Sequence, residues 1–184
     1  MSILYNKKSL FRAFKKSDDG TTAIEFAMLS VPFTLLLVGL VETGLFFTAG
    51  VLMDGASQDA ARLIRTGQAQ NSGDPQTMFE DRLCQKVGVF IDCNDLLYEA
   101  IPVADNSFDS VGGMAPSFDD DGNLEPQGFA PGGSNDVVVI RVAYRYNFLT
   151  PFIGHFMGEA ADRDGALLMT TVVARNEPYN FGEE

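Results

Sequence analysis

The sequence predicts an α+β protein in which a long N-terminal helix packs on a small antiparallel sheet. An apolar stretch runs from Phe26 to Met53 with a single interrupting charge, Glu42, and its length is typical of a helix. An amphipathic helical pattern continues from this stretch as far as Gly67. Alternating and apolar runs typical of strands follow later in the chain. Since a sheet with one apolar face needs a cover, the amphipathic end of the helix is expected to lie on it.

Length and composition exclude several classes of protein. The 184 residues suit one modest domain with an appendage. A net charge of −12 argues against nucleic-acid binding, which needs basic residues to displace counterions from phosphates. The hydrophobic content of 46% is too high for a wholly disordered chain. Two cysteines are too few for a disulfide-dense miniprotein or a four-cysteine zinc site.

The apolar stretch indicates a transmembrane helix. From Phe26 to Met53 a helix would be about 42 Å long, whereas the hydrocarbon core of a bilayer is about 30 Å thick. A cleaved secretory signal, the main alternative, has an apolar region of only about 7–15 residues. The residues before the stretch include a basic group: Lys7, Lys8, Arg12, Lys15 and Lys16. Because basic flanks stay cytoplasmic, the N-terminus is predicted inside and everything after Met53 outside.

The chain is accordingly divided into four parts. They are a basic leader at 1–20, a transmembrane helix at 21–53, a helical extension at 54–70 and an exported α+β domain at 71–184. In the extension, apolar residues recur at helical spacing and charged residues fill the other face. Gly67 is the expected C-cap, because glycine readily adopts the left-handed conformation that ends many helices.

Several residues of the apolar helix favour close packing against other helices. Small residues let helix backbones approach closely, and a proline is tolerated where neighbouring helices or waters satisfy the freed carbonyl. The predicted helix–helix packing residues are Pro32, Gly39, Glu42, Thr43 and Gly44. Glu42 lies about 26 Å along the helix axis from Glu25. It is therefore expected near the outer interface of the bilayer, either with a partner or in water without one.

The exported domain is predicted to contain a short helix and three strands. Asp74-Pro75 is a helix start, and the residues expected on the buried face of this helix are Met78, Phe79, Leu83 and Val87. The strand patterns cover Leu97–Val103, Asp136–Phe148 and Ala166–Ala174. Alternate residues of the second strand share one face, which is expected to lie under the long helix: Val138, Ile140, Val142, Tyr144 and Tyr146.

Residues 105–135 are rich in turn signals and are predicted to form a mobile loop. The apolar residues expected to hold it to the domain are Phe108, Phe118, Leu124 and Phe129. Three positions match a calcium-binding EF-hand loop: Asp119, Asp121 and Gly122. Ser117 and Gly128 stand where two critical ligands belong. A solvated acidic turn is therefore favoured over a calcium site, and no metal or cofactor is predicted.

Cys84 and Cys93 are predicted to form a disulfide, because export places both of them in an oxidising space. Metal binding would need at least two further ligands, and His155, the only histidine of the sequence, does not supply them. The sequence contains neither a GxSxG nucleophile elbow nor an HExxH helix. No catalytic residues are therefore predicted, and the chain is not expected to be an enzyme.

Several positions in the N-terminal part of the chain, together with a short segment near residue 177, resemble a known family. The positions that carry the resemblance are Gly20–Phe26, Pro32, Gly39, Glu42, Gly44, Asp54–Gly67 and Arg175–Tyr179. Together they resemble the signature of TadE/TadG-type proteins of the tight-adherence (Flp) pilus system. The well-defined part of the signature covers roughly residues 20–67.

This resemblance implies a pilin-like layout and cleavage by a prepilin peptidase between Gly20 and Thr21, with Glu25 and Phe26 in the recognised motif. It also implies residence in the bacterial inner membrane, with other pilins or pseudopilins and the Tad secretion platform as partners. The expected function is that of a membrane-anchored minor pilin or pseudopilin that takes part in pilus assembly. The alternative is a membrane-tethered periplasmic domain that binds an envelope partner without entering a fibre.

Overall fold

The computed structural model describes residues 20–150, 153–154 and 165–179. The basic residues of the predicted leader and His155 lie outside this part of the chain. The main elements, in chain order, are α1 (Thr21–Arg65), α2 (Pro75–Val87), β1 (Leu96–Pro102), β2 (Val137–Asn147) and β3 (Gly165–Arg175). The long helix and the three-stranded antiparallel sheet confirm the predicted α+β class. Each strand begins and ends within one residue of its predicted bounds.

Helix α1 contributes to both compact units of the chain, Met1–Val41 and Glu42–Glu184. In the first unit its large apolar side chains are exposed: Ile24, Phe26, Met28, Leu29, Val31, Phe33, Leu35, Leu36, Leu37, Val38, Leu40 and Val41. In the second unit one face of the helix is buried, beginning with Glu42, Ala49 and Met53. The apolar stretch that the sequence assigns to the membrane therefore overlaps the second unit.

Both helices have the terminal residues that their sequences predict. Gly67 has a φ of 77°, and its N–H donates to the C=O of Ile64 at 3.0 Å, so it ends α1 in the left-handed conformation. Asp74 caps α2 by accepting hydrogen bonds from the Thr77 N–H at 3.1 Å and the Thr77 hydroxyl at 2.8 Å. These two bonds hold the pKa of the Asp74 carboxyl below its usual value.

Strand β2 lies between β1 and β3 and is antiparallel to both. The predicted face of β2 lies in the main core: Val138, Ile140 and Val142 belong to this core, and Tyr144 and Tyr146 are packed against it. The helices add the rest of this core, including Met53, Ile64, Phe79, Leu83 and Val87. The sheet is thus covered by α1 and α2, as the apolar patterns of all three elements predict.

The other face of the sheet is covered by the segment 105–135. Val137 and Val139 form a second small core with Val103, and Val111 and Met114 from the segment pack against it. Within the segment Leu124 is buried, and the ring of Phe129 lies 5.3 Å from that of Phe79. Phe108 and Phe118 are about half exposed, at 52% and 48%. Of the four residues predicted to hold the segment, Leu124 is therefore buried and Phe129 is half-buried against the main core.

Cys84 of α2 and Cys93 are joined by a disulfide, with their Cα atoms 5.7 Å apart. Replacing both with serine is expected to lower the free energy of unfolding by about 2–3 kcal/mol, because the bond restricts the unfolded chain. Denaturant unfolding of the full chain in detergent measures this difference. Thiol alkylation of the native protein should detect no free cysteine. Two alkylated cysteines would contradict the bond.

Candidate functional site

The residues predicted for processing lie at the beginning of α1. Gly20 directly precedes the helix and is exposed, and its C=O accepts a hydrogen bond from the N–H of Ile24 at 3.1 Å. In the part of the chain that the structure describes, a Cβ atom built on Gly20 meets no other atom within 4 Å. Glu25 and Phe26 are also exposed in the first turns of the helix, Phe26 at 72%. The peptide bond between Gly20 and Thr21 therefore stands at an uncrowded helix start.

The five residues predicted for helix–helix packing differ in their surroundings. Pro32 and Gly44 are exposed, Gly39 and Thr43 are half-buried, and Glu42 is buried. Gly44 has open space around the position of a Cβ atom, and its C=O accepts a hydrogen bond from the Thr48 hydroxyl at 2.7 Å. Contact of this helix with a second helix stays a prediction, whereas Glu42 already has partners within the chain.

Glu42 is one of five buried polar or charged residues among those that the structure describes, and it is 3% exposed. Its carboxylate accepts a hydrogen bond from the backbone N–H of Leu149. It also accepts one from the N–H of Thr150, 3.0 Å from Oε1 and 3.2 Å from Oε2. Backbone donors of this kind satisfy a buried carboxylate without a basic side chain. Of the two expectations for Glu42, a partner or none, the structure supplies a partner.

The two N–H groups that bind Glu42 lie where the chain turns after β2. The C=O of Thr150 accepts hydrogen bonds from the N–H groups of Ile153 at 3.0 Å and Gly154 at 3.1 Å. The first N–H groups of such a helical turn have no partner within the turn itself. The Glu42 carboxylate therefore satisfies donors that the local backbone leaves free, and it fixes this turn to α1.

Three aromatic rings pack beside the Glu42 carboxylate. Phe46, one helical turn after Glu42, lies 5.4 Å from the ring of Tyr146 and 5.6 Å from that of Phe148, measured between centroids. Tyr146 and Phe148 lie 5.3 Å apart. Burial raises the pKa of the Tyr146 hydroxyl, and the negative charge of Glu42 raises it further. We call Glu42, Phe46, Tyr146, Phe148 and the Leu149–Thr150 backbone the helix junction.

The sequence analysis did not find the helix junction. Glu42 and Phe46 are four residues apart and therefore share a helix face, which is the available signal on α1. The apolar aromatic residues after Arg145 are the matching signal on the sheet. Their pairing depends on how far β2 extends along the helix, and no local pattern encodes that distance.

A buried ion pair lies on the other face of the sheet. Glu99 of β1 is 0% exposed and Arg141 of β2 is 4% exposed, and they stand opposite each other in the strand register, 2.5 Å apart. The second oxygen of Glu99 accepts the N–H of Gln127 at 2.9 Å, and Arg141 also donates to the C=O of Met114. The pair therefore ties the covering segment to the sheet at two interior points, Met114 and Gln127. The sequence analysis identified neither residue as a site.

The acidic turn is closed by its own hydrogen bonds. Asp119 accepts the side-chain amide of Asn123 at 3.0 Å and its backbone N–H at 2.7 Å. These bonds hold the pKa of the Asp119 carboxyl below its usual value. Arg145 donates to the side chain of Asn123 at 2.6 Å and to the C=O of Asp121 at 3.0 Å. Among the residues that the structure describes, no three His, Cys, Asp or Glu side chains are grouped to hold a metal ion.

Among the described residues, one helix, α1, is long and apolar enough to cross a membrane. No curated protein and no solved structure matches the sequence. The family model of TadE-like proteins matches residues 20–62, which include the exposed apolar helix and most of its amphipathic continuation. This apolar helix fits a single-pass membrane anchor in a pilus system. Residues 20–62 are thus similar to TadE-like proteins, which suggests a protein associated with Tad pilus systems.

Proposed function

We propose that the protein is a membrane-anchored minor pilin or pseudopilin that takes part in assembly of a tight-adherence (Flp) pilus. The observation that carries this proposal is the TadE-like match over residues 20–62. The exposed apolar side chains from Ile24 to Val41 support it, because they need lipid or other helices around them. The folded unit from Glu42 onward adds an acidic domain that a short bulk pilin does not need.

The lipid-embedded part of α1 is proposed to be residues 21–41. At about 1.5 Å per residue this part is about 31 Å long, which matches the bilayer core of about 30 Å. From Glu42 onward one face of the helix is buried in the folded unit. The embedded part that we propose is shorter than the transmembrane helix at 21–53 that the apolar pattern alone predicts.

The orientation proposed for the chain places its N-terminus in the cytoplasm and its folded unit in the periplasm. The basic residues between Lys7 and Lys16 favour this direction, since basic flanks are retained on the cytoplasmic side. The disulfide between Cys84 and Cys93 supports the same orientation across the membrane, because disulfides persist in the oxidising periplasm. In this setting the proposed partners are a prepilin peptidase, other pilins or pseudopilins, and the Tad secretion platform.

The proposed mechanism is physical. The apolar helix stores the subunit in the inner membrane until helix–helix contacts carry it into an assembly. Cleavage before Thr21 would create a protonated amine close to the exposed Glu25 carboxylate. Pairing of that amine with Glu25 of the same or a neighbouring chain would lower the cost of holding a charge at the membrane surface. It would also fix the axial stagger between subunits.

Gly20→Ala is expected to keep the full-length chain uncut, whereas the wild-type chain starts at Thr21 after processing. The space around Gly20 accommodates a methyl group, so loss of cleavage reports recognition by the peptidase and not misfolding. N-terminal sequencing of the membrane-bound protein measures the result. Gly55→Ala is the matched control, because it also enters open space but lies far from the cut. Cleavage of Gly20→Ala at the wild-type rate would contradict the proposed processing.

The Glu25→Ala variant distinguishes membrane insertion of the chain from its role in pilus assembly. This variant should reach the membrane normally but should support fewer pili than the wild-type chain. Membrane fractionation, pilus counts and cross-linking in membranes provide the three readouts. Normal piliation would remove the proposed role of Glu25. A processed chain that cross-links to no pilin, and whose deletion leaves piliation unchanged, would instead support the envelope-binding alternative.

A further inference from the structure

The helix junction displays an exposed apolar side chain directly beside the buried carboxylate. Leu149 is 81% exposed, although its backbone N–H is held by Glu42. Exposed leucines are common on proteins, so exposure by itself assigns no role. Two further observations, its position along the chain and the charge of its surroundings, give this leucine a role.

The position of Leu149 is fixed by its bond to α1. Glu42 directly follows Val41 and begins the second unit, in which one face of the helix is buried while Phe47 and Val51 stay exposed on it. If the residues up to Val41 lie in the bilayer core, Glu42 stands at its boundary. Since the N–H groups of Leu149 and Thr150 are hydrogen-bonded to that carboxylate, they stand at the same boundary. The leucine side chain is thus within reach of the lipid.

The charge of the surroundings suits a lipid surface. The chain carries a net charge of −12, yet no Asp, Glu, Lys or Arg occurs between Arg145 and Glu159. The carboxylate of the junction, Glu42, is 3% exposed and accepts hydrogen bonds from two backbone N–H groups. Tyr146 and Phe148 add aromatic rings of the type that is common at membrane interfaces. Among the described residues of the helix junction, Glu42 is therefore the one acidic side chain, and the others are apolar or aromatic.

We propose that the Leu149–Thr150 turn docks on the periplasmic surface of the bilayer, with the Leu149 side chain inserted among the lipids. This is a second, peripheral membrane contact beside the helical anchor, and Glu42 is the residue that positions it. The contact holds the folded unit against the membrane while the subunit is stored there. It rests on the membrane anchor of the proposed function but requires no pilus.

The test uses tryptophan fluorescence, because the chain contains no tryptophan. Leu149→Trp is introduced into the full chain, which is reconstituted in phosphatidylcholine vesicles with or without brominated acyl chains. Its emission is expected at shorter wavelength than in water, with a large loss of intensity in the brominated vesicles. Phe108→Trp is the matched control, since Phe108 is also apolar and 52% exposed but lies beside Arg175, which pairs with Val137 at the opposite end of β2. Its emission should be water-like and unquenched.

Leu35→Trp, within the proposed span, reports whether the helix itself enters the lipid. Quenching of Leu35→Trp without quenching of Leu149→Trp would overturn the docking proposal and leave the anchor intact. Absence of quenching at both positions would overturn the anchor and the docking together. A short-wavelength emission from Leu149→Trp that brominated lipids leave unchanged would show that protein, such as a second subunit, covers the leucine. That result would also overturn docking on lipid.

Discussion

Replacing Arg141 with methionine is expected to lower the free energy of unfolding by about 3–5 kcal/mol, because it leaves a buried charge without its counterion. Glu99 is completely buried, and in the described structure the N–H of Gln127 is its other hydrogen-bond donor. The substitution also removes the donor that satisfies the C=O of Met114. The covering segment 105–135 would therefore lose a central attachment to the sheet. Denaturant unfolding of the full chain in detergent measures the loss.

Two controls separate burial of the charge from loss of an arginine. Lys86→Met breaks an exposed ion pair with Asp59, at 3.1 Å, and should cost at most about 1 kcal/mol. The double variant Glu99→Leu/Arg141→Met removes both buried charges and should recover much of the stability lost in Arg141→Met. Two results would show that the Glu99–Arg141 pair is not desolvated as described. One is an Arg141→Met variant that is as stable as Lys86→Met; the other is a double variant whose free energy of unfolding is no higher than that of Arg141→Met.

The architecture could be predicted from the sequence because it depends on periodic patterns. Apolar residues recur at helical spacing in α1 and α2, and this pattern identifies their buried faces. In β2 the alternation of side chains in a strand places Val138, Ile140 and Val142 on the face in the main core, although both faces are buried from Val137 to Ala143. Local chemistry likewise identified the helix ends, with Asp74 as a side-chain cap and Gly67 as a left-handed residue. These features need no knowledge of distant residues.

The two buried carboxylates could not be found in this way. Glu99 and Arg141 meet only through the register of β1 and β2, and they are 42 residues apart in the sequence. Glu42 is 107 residues from Leu149, and its partners there are backbone N–H groups, which nearly every residue possesses. A charge within an apolar run is the signal that both cases share. It indicates that a partner is needed but does not identify one.

Glu42→Ala is expected to lower the free energy of unfolding by about 2–4 kcal/mol, because it removes the acceptor of two backbone N–H groups at the helix junction. The turn at Leu149–Thr150 should then separate from α1 more often than in the wild-type chain. Amide hydrogen exchange at these two residues is expected to accelerate selectively, while exchange at the buried Ile140 follows the global loss of stability.

Glu42→Gln is the matched variant, since its amide keeps one acceptor oxygen but carries no charge. It should destabilise the chain less than Glu42→Ala and slow the exchange of Leu149 and Thr150 relative to that variant. Burial is the main cause of the raised pKa of Tyr146, and the negative charge of Glu42 is the next. Both substitutions remove that charge, so both should lower the pKa of Tyr146 in a spectrophotometric titration. Because the titration reports the charge and the exchange reports the acceptor, the two roles of Glu42 are measured separately. Equal exchange in both variants would mean that the charge, and not the hydrogen bonding, holds the turn against the helix.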